Sequence, residues 1–344
     1  MRRQSPAVHT NNSLFQWGCG MRRALSVLAL CFVLLMTPNL RGAAGQSDVA
    51  PVPPSAHGPA IPQDKGYLVR EIGSGLYWVT DGTYQVMFLT TGRGVIAVDA
   101  PPNLGPKYLK AIADVTKERV THVIYSHAHG DHIGAAGLFP KGVTIIAHRE
   151  TAELLARSKD PNRPAPTVTF TKTYTLKVGT QTLILDYKGV NHEPGNIFIW
   201  APRQKVLMLV DIIFPGWVPF MNLALAKDVP GFIAAHRQAL SYPFEAFIGG
   251  HLTRLGTRQD VKTQMEYVED VRTNAGKALK AVDFMGIAKE TGFENQWLLF
   301  DRYFTAVAKA CADMTIPKWR GRLGAADVWT QGHCLVMAES LRID

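Results

Sequence analysis

Residues 126–132 read Ser126-His127-Ala128-His129-Gly130-Asp131-His132, directly after the β-branched run His122 to Tyr125. Three histidines and an aspartate thus sit at the end of a strand. On a loop leaving a strand, alternate residues point the same way, so His127 and His129 can converge on one ion. Asp131 and His132, at the start of the next helix, can reach a second ion beside it. Neutral imidazole with carboxylate suits zinc, and iron or manganese can substitute.

Four donors do not complete two sites, and three more stand at later strand ends. His192 lies in Gly189-Val-Asn-His-Glu-Pro-Gly-Asn196, between two strands. Asp211 follows the apolar run Val206 to Val210, and His251 follows Phe247-Ile-Gly-Gly250. An ionisable residue closing an apolar strand is where open α/β sheets place chemistry.

Around these positions the sequence alternates strands and helices. Strands are expected at Tyr77 to Thr80, Gln85 to Thr90, Val95 to Val98 and Val143 to Ile146. Helices are expected at Lys107 to Val115 and Glu150 to Ser158. The pattern then repeats: strands at Thr167 to Tyr174, Thr182 to Asp186, Ile197 to Trp200 and Val206 to Val210. A helix from Pro230, with Asp228 near its cap, precedes the strand Ala246 to Ile248. Strands followed by a helix, stated twice, predict two sheets face to face with helices outside. Beyond His251, Thr257-Arg-Gln-Asp260 has the form of a capping box. Val261, Met265, Val268, Val271 and Ala275 keep helical spacing. Trp297, Phe300, Phe304, Val307 and Cys311 repeat that rhythm, which reads as core packing. Residues 285–344 read as a helical C-terminal extension that covers the main domain or forms a subunit contact in a homo-oligomer.

With its three later partners, the His-x-His-x-Asp-His motif resembles the metallo-beta-lactamase-fold hydrolase superfamily, over roughly Gly66 to Tyr267. The resemblance implies an α/β four-layer αββα sandwich, here residues 66–284, with a dinuclear metal cleft at one sheet edge. It implies that His127, His129 and His192 hold the first metal. Asp131, His132 and His251 would hold the second, and Asp211 would bridge the two. Asp99, closing the strand Val95 to Val98, matches an early aspartate that supports the site without ligating.

Two zinc ions so held can share a hydroxide and polarise a substrate carbonyl or phosphoryl oxygen. Asp131 is placed to orient the hydroxide and to pass a proton to the leaving group. The sequence holds no Gly-x-Ser-x-Gly elbow and no phosphate-cradling glycine loop. The expected activity is cleavage of an ester, lactone or amide-type bond in a small molecule. A bridging Asp211 resembles glyoxalase II-type thioesterases, lactonases and phosphodiesterases more than true β-lactamases, leaving β-lactam cleavage as a side activity. A persulfide dioxygenase with a single iron is the redox alternative, and a non-catalytic binding role is the other. Phe214, Trp217 and Phe220, just beyond Asp211, form an uncharged stretch that reads as an apolar substrate wall or as packing under the next helix. Arg254 reads as a candidate for a substrate carboxylate or as a solvated side chain.

Other histidines carry less. His57, His148 and His236 read as surface or packing residues and His122 as core. His333 beside Cys334 offers only a weak Cys/His metal pair.

The chain has 344 residues, is 47% hydrophobic and carries a formal charge of +9. Arg2, Arg3, Arg22, Arg23 and Arg41 precede residue 46, leaving 32 basic against 28 acidic residues beyond it. So small an excess does not argue for nucleic acid as a partner, which needs a clustered basic face. Residues 1–45 read as a signal peptide region. Translation is expected from Met21: Arg22-Arg23 precede the apolar run Ala24 to Met36, and Ala43-Ala44-Gly45 offer a cleavage site. The run is too short for a stable membrane anchor, so a secreted or periplasmic location is expected. Cys311 and Cys334 remain after cleavage and can form a disulfide there. Residues 46–65 carry five prolines and read as a flexible or extended linker.

Overall fold

A computed structural model describes residues 49–344; the expected signal segment lies outside them. The first sheet runs in strict chain order through β1 (Leu68–Gly73), β2 (Leu76–Thr80), β3 (Gln85–Thr90), β4 (Val95–Val98), β5 (Val120–Ile124), β6 (Thr144–His148) and β7 (Val168–Phe170). Strands β1 to β4 form an antiparallel meander, and β4 to β7 are parallel. The parallel crossovers carry the helices α1 (Pro106–Val115), α2 (Gly130–Ile133) and α3 (Arg149–Ser158). Parallel pairing needs such connections, because a short turn cannot return the chain to the same end.

The second sheet comprises β8 (Thr173–Val178), β9 (Gln181–Asp186), β10 (Phe198–Ala201), β11 (Val206–Met208) and β12 (Ala246–Ile248), ordered β12-β11-β10-β9-β8. The single strand expected over Thr167 to Tyr174 is therefore two strands in different sheets. Val168 to Phe170 closes the first and Thr173 opens the second. Periodicity could not show this, since both pieces are β-branched and no glycine or proline marks the crossing.

Three buried clusters define the layers. Val79, Val86, Phe88, Ala97, Val123 and Ala147 face α1 and α3 with Tyr108, Ile112 and Leu155. The alternate residues Trp78, Met87, Ile96, Val98, Ile124 and Ile146 face the other way, onto Leu183, Leu185, Ile199, Met208 and Ile248. Phe198, Trp200, Leu207 and Phe247, on the far side of the second sheet, pack under the later helices. Because strand side chains alternate, one sequence supplies both faces of each sheet, and the order of layers is helix, sheet, sheet, helix. This is the expected αββα sandwich.

The outer helical layer contains α4 (Met221–Leu225), α5 (Val229–Leu240), α6 (Arg258–Ala281), α7 (Phe284–Thr291), α8 (Gln296–Trp319) and α9 (Ala326–Ile343). Asp228 caps α5 by accepting from Gly231 N–H, and Thr257 with Asp260 forms the full capping box of α6. The C-terminal helices bury Val307, Cys311, Trp319, Cys334 and Met337 in the same cluster as the second sheet, and a Cys311–Cys334 disulfide ties α8 to α9. Trp297 corrects the expected stripe: it is 84% exposed in the first turn of α8, and Leu299 takes the inward place.

Within the proline-rich stretch, Pro54–Ala56 form a short 3-10 helix, and the chain is pinned there rather than flexible. Ala56 is fully buried, its carbonyl accepting from Trp217 Nε1 at 3.1 Å and from Thr253 Oγ1. Among the described residues no helix is long and apolar enough to cross a membrane.

Candidate dinuclear metal centre

Four connections at one edge of the sandwich meet in one place. His127 and His129 leave β5, Asp131 and His132 stand on α2, and His192 lies between β9 and β10. Asp211 and His251 follow β11 and β12. Asp99 and Asp211 both take left-handed backbone, at φ 59° and 61°. Aspartate tolerates this conformation, and such outliers cluster at functional sites. Gly250, at φ 85°, has no room for a side chain: a Cβ would stand 2.6 Å from Val210 and 3.3 Å from His132. Its absence lets β12 deliver His251 against the first sheet's loop.

The donors fall into two groups, His127, His129, His192 and Asp211 in one, Asp131, His132 and His251 in the other. Within each, the donor atoms lie within 4.8 Å of one another. Asp211 stands between them. Its Oδ2 lies 3.2 Å from His192 Nε2, 3.2 Å from His132 Nε2 and 3.6 Å from His127 Nε2, and its Oδ1 lies 3.1 Å from His251 Nε2. All seven side chains expected to converge do so.

Hydrogen bonds behind the rings fix where the lone pairs point. His192 Nδ1–H donates to the Ala224 carbonyl at 2.6 Å, which leaves Nε2 unprotonated in the neutral ring. Glu193 Oε1 takes the Nε2 proton of His129 at 3.1 Å, which leaves Nδ1 bare. Those two bare nitrogens face each other at 2.9 Å. His132 Nε2 and His251 Nε2 also approach each other, to 3.0 Å, with Asp211 beside both. His127 Nδ1 meets Ser126 Oγ at 3.0 Å, while its Nε2 is buried without a hydrogen-bond partner. Opposed lone pairs at that spacing repel unless a cation stands between them. The donor set therefore fits divalent metal ions with nitrogen and carboxylate ligands.

The electrostatics agree. Burial opposes ionisation of Asp211, but His132, His251 and His192 around it hold its carboxyl well below the usual range. Burial opposes a proton on His251, yet Asp211 and Asp131 lift its pKa to about 10. His127 is pushed well down by burial and by the neighbouring rings of His132 and His192. Burial resists ionisation of Asp131, and the hydrogen bond to His251 outweighs it, lowering its pKa. Asp99 is fully buried, raised to about 6 by burial and partly offset by His132, and accepts Ser126 N–H at 2.7 Å. It thus holds the backbone just before His127.

A cleft of about 690 Å³ opens over the donors, lined by Tyr84, Phe214, Trp217, Phe220, Leu225 and Trp329 among others. Phe214, Trp217 and Phe220 thus stand in its wall. Arg254 does not: its guanidinium pairs with Asp260 at 2.6 and 3.1 Å, and its Nε donates to Ser55 O at 2.6 Å. The carboxylate of the helix cap, six residues away, claims it. His333 likewise leaves the metal question, since Cys334 is in the disulfide and the ring bonds Tyr267 Oη at 2.6 Å and Phe220 O at 3.0 Å.

Sequence reasoning missed four contributors. Tyr84 reaches Asp131 Oδ2 at 3.4 Å and leans on His251, from a hairpin with no distinguishing pattern. Glu193 adjoins His192 and is the one acidic residue between Gly189 and Asn196, with nothing in the sequence to mark it as a partner of His129. Trp329 comes from the distant α9. The fourth is α4, where Asn222 to Leu225 all have φ of 54–56°, a left-handed turn. L-residues pay about 1–2 kcal/mol each for that hand, and this turn aims the Ala224 carbonyl at His192. Helix α9 packs on it, with Gly332 leaving space for Asn222, whose Oδ1 a Cβ would meet at 2.7 Å.

A family model described as the metallo-beta-lactamase superfamily matches residues 79–254. The chain belongs to the metallo-beta-lactamase superfamily. The matched segment contains all seven donors. Within this superfamily the chain is 29% identical over 220 residues to the 2,4-dinitroanisole O-demethylase subunit alpha of Nocardioides sp. (strain JS1661), covering 62% of this chain and 66% of that one. It is 31% identical over 126 residues to the metallo-beta-lactamase type 2 of Bacillus sp. (strain 170), covering 35% and 47%. The chain thus spans at most about two thirds of the length of these relatives. A metallo-beta-lactamase structure from Pontibacter korlensis superposes with a TM-score of 0.51 at 21% identity, over 58% of this chain and 97% of that one, a likeness of fold.

Proposed function

We propose that this superfamily member is an exported dinuclear zinc hydrolase that opens an ester, lactone or amide-type bond in a small, largely apolar molecule. One observation carries the reading: two groups of imidazole nitrogens and carboxylate oxygens meet around Asp211 at the floor of an apolar cleft. Zinc ions held there supply Lewis acidity, which activates water and polarises the scissile carbonyl. His127, His129 and His192 would hold one ion, Asp131, His132 and His251 the other, and Asp211 both. Asp131 is ionised and partly exposed at the cleft floor, so its Oδ2 can take up a proton and return it to the leaving group. Tyr84, its pKa raised to about 12 by burial and Asp131, keeps its phenolic proton as a donor beside that carboxylate. Phe214, Trp217, Phe220 and Trp329 exclude water and hold the apolar part of the substrate. Export is supported by the N-terminal apolar run and by the disulfide, which persists in oxidising compartments.

Two complete donor groups favour this reading over a single-iron dioxygenase. A second reading, cleavage of an aryl ether, is favoured by the aromatic cleft together with the relative named as an O-demethylase. Metal analysis with a screen of p-nitrophenyl esters, lactones, a phosphodiester, nitrocefin and an aryl methyl ether tests both. About two zinc per chain and turnover of an ester or lactone are expected. His129→Ala should abolish that turnover with the fold retained, and a variant keeping most activity would refute the assignment.

A further inference from the structure

His129 is the most exposed histidine of the first donor group, at 29% of its side chain; it packs edge-on against His127 and His192 and meets a carboxylate from behind. That carboxylate belongs to Glu193. Its side chain is 11% exposed, its Oε1 lies 3.1 Å from His129 Nε2, and its Oε2 accepts the Ala128 N–H at 3.3 Å. One carboxylate thus grips both the ring and the backbone between His127 and His129. Glu193 lies outside both donor groups and meets the nitrogen that faces away from His192.

The loop carrying Glu193 is itself locked. Asn191 Oδ1 accepts His192 N–H at 2.6 Å and Asn196 Nδ2 at 3.1 Å, while Asn196 Nδ2 also donates to Val210 O at 2.9 Å. The loop is therefore tied to the end of β11, one residue before Asp211. On the other side, Arg163 donates to Ala128 O at 2.7 Å and closes the backbone clamp.

We propose that Glu193 is a positioning residue: its carboxylate fixes the Nε2–H tautomer and the rotation of His129, and so sets the affinity of the first donor group for its ion. This rests on the metal-centre reading above. A carboxylate behind a ligating imidazole raises its basicity and removes its rotational freedom, and loss of such a partner costs about 10- to 100-fold in metal affinity. In the same region His192 is served by the neutral Ala224 carbonyl, so the charged hold falls on His129 alone of these two.

The test is zinc competition against a chromophoric chelator, using chelator-stripped protein and Glu193→Gln, Glu193→Asp and Glu193→Ala. The tighter wild-type site should weaken by about 10-fold or more in Glu193→Gln and further in Glu193→Ala, with Glu193→Asp recovering part of the loss. Imidazole ¹⁵N spectra of the zinc-loaded wild type should show His129 protonated at Nε2. A folded Glu193→Gln with wild-type affinity, or a wild-type His129 protonated at Nδ1, would overturn the proposal. A wild type that binds no zinc would instead overturn the metal-centre reading itself.

Discussion

Acidification should loosen the cleft wall through two histidines that stand outside the donor set. His236, in α5, is fully buried; its Nδ1–H donates to Phe232 O at 3.0 Å, and its Nε2 accepts from Gln264 Nε2 at 2.9 Å. Gln264 in turn donates to Ile212 O at 2.6 Å and accepts Phe214 N–H at 2.7 Å, fixing the backbone just beyond Asp211. His333, in α9, donates from Nε2 to Phe220 O and accepts Tyr267 O–H at Nδ1. A second proton on His236 would point a donor at a donor, and one on His333 would force Tyr267 Oη to turn from donor to acceptor. Burial pushes both pKa values from 6.5 down to about 4. The unfolded chain therefore takes up these protons near pH 6.5 and the folded chain only near pH 4. Stability is unaffected by them above that range and falls as pH drops through it. At about 1.4 kcal/mol per pKa unit the full cost is about 3 kcal/mol per histidine, and about 2 kcal/mol of it is incurred by pH 5. The assay is urea unfolding of chelator-stripped protein by circular dichroism, from about pH 7.5 to pH 4.5. A His236→Gln/His333→Gln variant should start less stable but lose about 4 kcal/mol less than wild type between pH 7.5 and pH 5. Parallel pH profiles for the two proteins would refute the reasoning.

Three further outcomes are expected. Reducing Cys311–Cys334 opens a loop of 23 residues and should cost about 3 kcal/mol on loop entropy, read as a lower urea midpoint with reductant present. Trp329→Ala should raise KM for an apolar ester about 10-fold with kcat and zinc content retained, since it removes binding common to ground and transition states. Asp211→Asn should leave less than half the wild-type zinc after dialysis, measured by elemental analysis, because the charge shared by both donor groups is gone.

Much of the centre was legible because strand ends announce themselves. An apolar β-branched run that stops at His127, Asp211 or His251 leaves one ionisable residue exposed to the sheet edge, and seven such residues had one place to meet. Sandwich layering followed from strands and helices stated twice. Other features depend on partners far away in sequence. Arg254 looks free until Asp260 and Ser55 are brought to it. Trp297 keeps the helical rhythm of its neighbours, yet α8 is uncovered at its first turn, and only the folded chain shows Leu299 turned inward. The left-handed turn at Asn222–Leu225 holds no glycine and contradicts local preference; it is held by α9, a helix about a hundred positions downstream.

Each sheet is built from one unbroken stretch of chain, and the change of sheet falls between Phe170 and Thr173. The upstream stretch brings His127, His129, Asp131 and His132, and the downstream one brings His192, Asp211 and His251. A protein severed between Thr171 and Lys172 would therefore yield two fragments, neither with a full coordination sphere. Their reassembly would be promoted by zinc by mass action, so that the ion rivets two pieces that the apolar layer between the sheets already draws together.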